Sequence, residues 1–270
     1  MALLSQEILQ TVVSIEIQRG DETTTIATGF LFVKKIDDNQ ISKRGRVYLV
    51  TAKHVLFKNN QIKYREILVR MDKNGSGGQL FRAPLQDENG ALFAIHPTAD
   101  VAVLLLSVKA LQDGDLKYRW FINDRDTVYK KTYEEFGVSV GDSVFVLGFP
   151  RGLRGVSANY AICRQGIIAR LDQECLNDGY FWIDAPVFRG NSGGPVILRP
   201  EGFSIEGTKA VGSSCLLGLV SMWVNADDES GETENDLKGQ MGLGKVVTTQ
   251  AIERAIEEHE KMLIARKSSQ

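Results

Sequence analysis

The chain has 270 residues, of which 43% are hydrophobic and 24% charged, and its formal net charge is -2. That length suits one compact unit or two small fused halves with a proper core. The near-neutral charge gives no basic field to attract nucleic acid or anionic lipid, so neither is expected as a partner.

In chain order, the first segment (residues 1–7) lacks a cationic start and a long apolar core, and does not read as a secretion signal. Residues 11–18 alternate around Val13, Ile15 and Ile17, as a half-buried strand does. After the polar turn Arg19-Gly20-Asp21, further strands are expected over 25–33, 46–51, 66–71 and 101–107. The longest apolar run, 101–106, has strand length and falls far short of the roughly 18 residues a membrane span needs. Residues 109–132 are polar with scattered aromatics, and read as a loop joining two halves.

The second half predicts strands at 143–148, 162–171, 180–184, 195–198 and 215–220. Residues 225–240 carry Asp227, Asp228, Glu229, Glu232, Glu234 and Asp236, and read as a mobile surface loop. From Gln250, the positions Ile252, Ala255, Ile256, Met262 and Leu263 keep helical spacing, with Thr248 or Thr249 as cap. Many short strands followed by one amphipathic helix predict an all-β sandwich or barrel set with a helical end.

Cys163, Cys175 and Cys215 are odd in number and lack Cys-x-x-Cys spacing, which suggests reduced, mostly buried thiols in a cytosolic protein. With three scattered histidines they offer no zinc spacing, so neither metal nor cofactor is expected.

The chemistry concentrates at Gly190-Asn191-Ser192-Gly193-Gly194-Pro195. Glycines around a serine let the backbone turn sharply and let successive N–H groups converge on an anion. A serine hydroxyl needs a positioned base. His259 lies on the expected terminal helix, where a solvated or helix-flank position explains it, and His96 precedes Pro97 in a loop. His54 follows the apolar strand and Thr51-Ala52-Lys53, so it is anchored yet free to face a cleft. Asp100 opens the run Val101 to Leu106, where a carboxylate is costly without a partner, and it suits the other ring nitrogen of the base.

These blocks resemble the trypsin/chymotrypsin-like serine proteases, closest in style to the protease domain of bacterial HtrA (Deg) enzymes. The resemblance rests on Thr51-Ala52-Lys53-His54, Asp100 to Leu104, Gly141 to Pro150, Gly190 to Pro195, and Gly218-Leu219-Val220-Ser221. It implies a single peptidase domain over 1–270, built of two antiparallel six-stranded barrels over 11–115 and 133–248 with a terminal helix over 249–266. It also implies a serine endopeptidase with Ser192 as nucleophile, His54 as base, Asp100 as its orienting acid, and the N–H groups of Gly190 and Ser192 as oxyanion hole. The alternative is a catalytically inactive domain of the same fold that binds a peptide or protein. An α/β-hydrolase elbow also matches Gly-x-Ser-x-Gly, but a strand-like run follows the serine and only His259 lies beyond it.

Residues that the resemblance places around the substrate are Pro186, Arg189, Ser221, Met222 and Trp223. Pro186 stands where trypsin-like members keep an aspartate, so a Lys or Arg preference is not expected, and Trp223 suggests a shallow pocket. Asn191 replaces the aspartate that receives a new N-terminus in digestive members, so no activation by propeptide removal is expected. The one helix after the barrels leaves no room for the peptide-binding domain that HtrA enzymes append. Restraint is then left to a loop, a homo-oligomer or a separate regulatory partner.

Overall fold

The computed structural model describes residues 4–35, 45–75, 77–122, 127, 133, 137–155, 158–201, 214–225 and 240–268, with only the backbone of 223–225 and 240–241. The strands of the main sheet of the first half are β1 (Val12–Arg19), β2 (Glu22–Lys35), β3 (Gly45–Thr51), β4 (Glu66–Lys73), β5 (Gly78–Pro84), β6 (Phe93–Ile95), β7 (Ala102–Leu105), β8 (Leu116–Lys117) and β9 (Phe121–Ile122). They form a nine-stranded sheet along the path β6-β7-β3-β2-β1-β4-β8, with β5 beside β4 and β9 parallel to β2. The helices are α1 (Gln6–Leu9), α2 (Lys53–Leu56), α3 (Val108–Asp113), α4 (Gln173–Asn177) and α5 (Thr249–Ser268).

In the second half, β10 (Ser143–Gly148), β11 (Ile162–Arg170), β12 (Tyr180–Asp184), β13 (Pro195–Leu198), β14 (Cys215–Asn225) and β15 (Gln240–Thr248) close into a six-stranded barrel in the order β10-β11-β12-β15-β14-β13. Val144, Val146, Ile168, Phe181, Ile183, Val196, Leu217 and Val246 fill it. The all-β class with a C-terminal helix therefore stands. One of the two expected barrels closes, while the other half pairs as the nine-stranded sheet, without ring closure among the described residues.

Alternation in β1 suggests a solvated face, yet every residue from Val12 to Ile17 is buried, Ser14 and Glu16 included. The reason is that charge covers the outer face. The Glu16 carboxylate accepts from Arg70 at 2.6 and 2.8 Å, from Ser14 at 3.0 Å and from Thr23 at 2.7 Å, with Arg154 at 3.5 Å. Burial pushes the Glu16 pKa up, but the bonds and charge of Arg70, helped by Thr23 and Ser14, hold it below the ordinary value. A folded pKa below the unfolded one means that the network stabilises above the unfolded value and fades as pH falls through the folded one. Glu16→Gln should therefore lose about 3 kcal/mol at pH 7 by stranding Arg70, and the gap to the parent should narrow toward pH 3. Urea midpoints across that range measure this; a gap independent of pH would contradict it.

The segment 109–132 is more structured than a polar loop. Ser107 caps α3 by accepting from the Ala110 N–H at 3.3 Å, Leu111 is fully buried, and Phe121 meets Phe30 edge-on at 5.6 Å. Buried apolar anchors that are widely spaced leave no periodic signal. Residues 123–126 and 128–132, and the acidic loop over 226–239, lie outside the described residues.

Helix α5 buries Ala251, Ile252, Ala255, Ile256 and His259. His259 is thus a core residue rather than a solvated one. Its Nε2 meets the Leu92 carbonyl at 3.3 Å and its ring stands edge-on to Tyr48 at 5.5 Å. Lys34 reaches Glu253 at 3.2 Å, and Arg266 donates to Asp87 at 2.8 Å and to the Ala91 carbonyl at 2.6 Å. The helix leaves the second half and straps back over the first.

Among the described residues no helix is long and apolar enough to cross a membrane, and no cluster of three or more His, Cys, Asp or Glu could hold a metal. All three cysteines are free, with Cys175 and Cys215 buried and Cys163 exposed.

Candidate active site

Strand β3 delivers His54. Its apolar residues end at Thr51, the fully buried Ala52 forms the N-cap, and α2 starts at Lys53, so the imidazole emerges 48% exposed. The antiparallel register that sets Ala102 of β7 opposite Thr51 of β3 brings Asp100 alongside. His96 is more than an exposed loop residue. Its Nδ1 accepts from the N–H groups of Thr98 at 3.2 Å and Ala99 at 2.8 Å, bracing the turn that presents Asp100.

Asp100 receives three donors. Its Oδ1 accepts from the His54 backbone N–H at 2.8 Å, and its Oδ2 lies 2.7 Å from His54 Nδ1 and accepts from Ser221 Oγ at 2.6 Å. Burial raises the pKa of Asp100, but the bonds and charge of His54 and the bond from Ser221 hold it below the usual carboxylate value. An ionised carboxylate only accepts, so Nδ1 of His54 is the ring nitrogen that donates to it, which leaves Nε2 toward the cleft.

Ser192 sits in the turn before β13, only 6% exposed. The turn is pinned from both halves. Gly193 N–H donates to the Val220 carbonyl at 2.7 Å, and Gly194 N–H to the Asn191 carbonyl at 2.8 Å. From the first half, Thr28 donates its N–H to the Ser192 carbonyl at 3.0 Å and its hydroxyl to the Gly190 carbonyl at 2.6 Å. The same hydroxyl accepts from the Phe149 N–H at 3.0 Å.

Glycine is required in this turn. Gly193 has φ +83°, and a Cβ there would lie 2.2 Å from the Thr28 carbonyl oxygen and from Thr51 Oγ1. Gly190 has φ +98°, and a Cβ would lie 2.3 Å from the Phe149 carbonyl oxygen. The Arg189 carbonyl accepts from the Arg151 N–H at 2.7 Å, which turns the Gly190 N–H the other way. Among the described residues, neither the Gly190 nor the Ser192 N–H donates to a protein acceptor.

Thr28 is fully buried, so Thr28→Val would strand the Gly190 carbonyl and the Phe149 N–H without changing side-chain volume much. The expected loss is about 2 kcal/mol, with most recovered in Thr28→Ser. Denaturant titration of the three proteins measures it, and equal stability of the valine form would rule out the assigned bonds.

His54, Asp100, Ser192, Ser221 and Met222 all line one cleft of about 860 Å³. Ser192 Oγ and His54 Nε2 share that cleft but do not hydrogen-bond to each other; such contacts are often long before substrate arrives. Pro186 and Arg189 are exposed and lie outside its lining, and the Trp223 side chain, on which the shallow-pocket expectation rests, lies outside the described residues. Ser221 belongs to the lining, but its hydroxyl is spent on Asp100.

The sequence reading missed Thr28, the turn Thr98–Ala99, the stretch Asn177 to Tyr180, and Lys245. Nothing local marks them. Thr28 is one more threonine in a Thr-rich strand, and only the pairing of the halves gives it work.

Residues 27–203 match the trypsin-like peptidase domain family. Among solved structures, the chain is similar to an inactive form of a serine-to-alanine mutant of Rv3671c from M. tuberculosis H37Rv. The two are 17% identical, with a TM-score of 0.48, over 93% of this chain and 87% of that one. No curated protein matches the chain.

Proposed function

The chain belongs to the trypsin-like peptidase family, and on that premise we propose that it is a serine endopeptidase acting through Ser192, His54 and Asp100. The observation that carries this reading is the carboxylate of Asp100 2.7 Å from His54 Nδ1, in the cleft that Ser192 shares. That pairing leaves Nε2 as the base.

In the proposed reaction, Ser192 Oγ attacks the scissile carbonyl while His54 Nε2 takes its proton. The imidazolium that forms is stabilised by Asp100. The developing oxyanion takes the N–H groups of Gly190 and Ser192, worth about 10²–10³ in turnover for each donor. The imidazolium returns its proton to the leaving amine, and water then opens the acyl-enzyme by the same route. Arg151 and the Gly194 N–H are the positioning groups, because they hold the Arg189 and Asn191 carbonyls whose peptide planes aim those donors, while Thr28 pins the Gly190 and Ser192 carbonyls that follow them.

Substrate is proposed to pair as an extended strand along β14. Its partner β13 ends at the Pro195–Leu219 pair, so the edge from Ser221 onward faces the cleft. Asn191 is buried and neutral, which supports a site that needs no newly made N-terminus. The HtrA-like manner of work, a cytosolic setting and restraint by an oligomer or partner belong to the same proposal.

A fluorophosphonate probe tests the reading. Stoichiometric labelling, mapped by mass to the peptide that contains Ser192, together with hydrolysis of an unfolded protein, is the expected result. Intact peptides that bind the cleft with no labelling would favour the inactive peptide-binding alternative.

A further inference from the structure

The cleft continues beyond the triad to an end that carries one cation. Lys245 on β15 lies opposite Met222 of β14 and Trp182 of β12, and lines the cleft together with Met222 and Tyr180. Its ammonium sits 3.9 Å from the centroid of the Tyr180 ring, which in turn stands edge-on to Trp182 at 5.9 Å. An aromatic plate under one side of an ammonium shields that side from water and leaves the other side toward the cleft. Among the described residues, no ion pair engages Lys245. Of the two acidic groups in the lining, Asp100 is taken up by His54 and Ser221, and Asp178 is exposed at the end of α4, where water screens it, whereas Lys245 is half-buried.

We propose that Lys245 is a specificity-determining residue that receives a carboxylate side chain of the substrate, on the acyl side of the scissile bond. The proposal rests on the peptidase reading for its register. A peptide strand paired along β14 from Ser221 passes Met222 and the Lys245 beside it. At about 3.3 Å per residue, this wall is reached within roughly four residues of the bond. Outside the lining, His54 has a basic neighbour. Lys63 donates to the His54 carbonyl at 3.2 Å and lies in the fields of Lys58 and Arg189. Among the described residues that line the cleft, Lys245 is the one Lys or Arg side chain, and its half-buried charge fits an acidic peptide side chain better than a basic one.

The test uses the full chain carrying Ser192→Ala and fluorescent peptides with Glu, its isostere Gln, or Lys at each of the four acyl-side positions. Fluorescence anisotropy should show Glu bound about tenfold tighter than Gln at one position, with Lys weakest. Lys245→Met should bring Glu and Gln to within about twofold and leave the Gln peptide unchanged, which also reports an intact fold. Equal binding of Glu and Gln at all four positions overturns the proposal, as does a preference that survives Lys245→Met. Cleavage of the same peptides by the parent is scored separately. A Lys245-dependent preference in binding with no cleavage would sink the peptidase reading and keep the acidic subsite.

Discussion

Ser192→Ala is expected to lower kcat by about 10⁶-fold on any peptide that the parent cleaves, with little change in KM or stability. The reason lies in what the hydroxyl does and does not support. The turn is held through backbone groups, with the Ser192 carbonyl taken by Thr28 and the flanking glycines bonded to Val220 and Asn191. Removing Oγ therefore leaves the scaffold and the free N–H groups in place while deleting the only atom proposed to form the acyl bond. Single-turnover kinetics and circular dichroism on the same preparation separate the two effects. Retention of more than a hundredth of the parent rate would assign the nucleophile elsewhere.

Asp100→Asn is expected to lower kcat by about 10⁴-fold and to do so by changing a tautomer. The carboxylate accepts from the His54 N–H, from Nδ1 and from Ser221 at once. An asparagine can keep the backbone bond through its oxygen, but its amide then points N–H groups at Nδ1 and at Ser221. Nδ1 must become an acceptor, the proton moves to Nε2, and the base faces Ser192 with nothing to take up a proton. Activity recovered at high pH, where a hydroxide can substitute for the missing base, would fit this account. A loss of only a few-fold at neutral pH would show that Asp100 is not what orients His54.

Most of the strands and the candidate site residues were legible because both rest on local signals. The limits of β10, β12 and β13 read directly from apolar runs bounded by polar turns, and Gly190 to Pro195 carries its glycines in plain view. His54 and Asp100 could be picked because each sits at the end of an apolar strand, and the β3–β7 register then brings them together. Residues whose role depends on partners far along the chain were not legible. Glu16 looks like the solvated half of an alternating strand until Arg70 and Arg154 are seen to cover it. His259 has the setting of a surface helix residue, and only docking against Leu92 and Tyr48 buries it. The short strands β8 and β9 are two residues each and too brief for a period to show.

The division of labour around Thr28 has a thermodynamic side. The serine turn is built on one half of the molecule and braced by the other, while α5 ties the two together at a distance from the cleft. Whatever occupies the space beside Gly190 and Ser192 is then linked to the docking of the halves. A ligand there should raise resistance to unfolding by mass action, and a fault in docking should weaken that ligand before either core melts. Loss of activity would be the earliest sign of a protein coming apart.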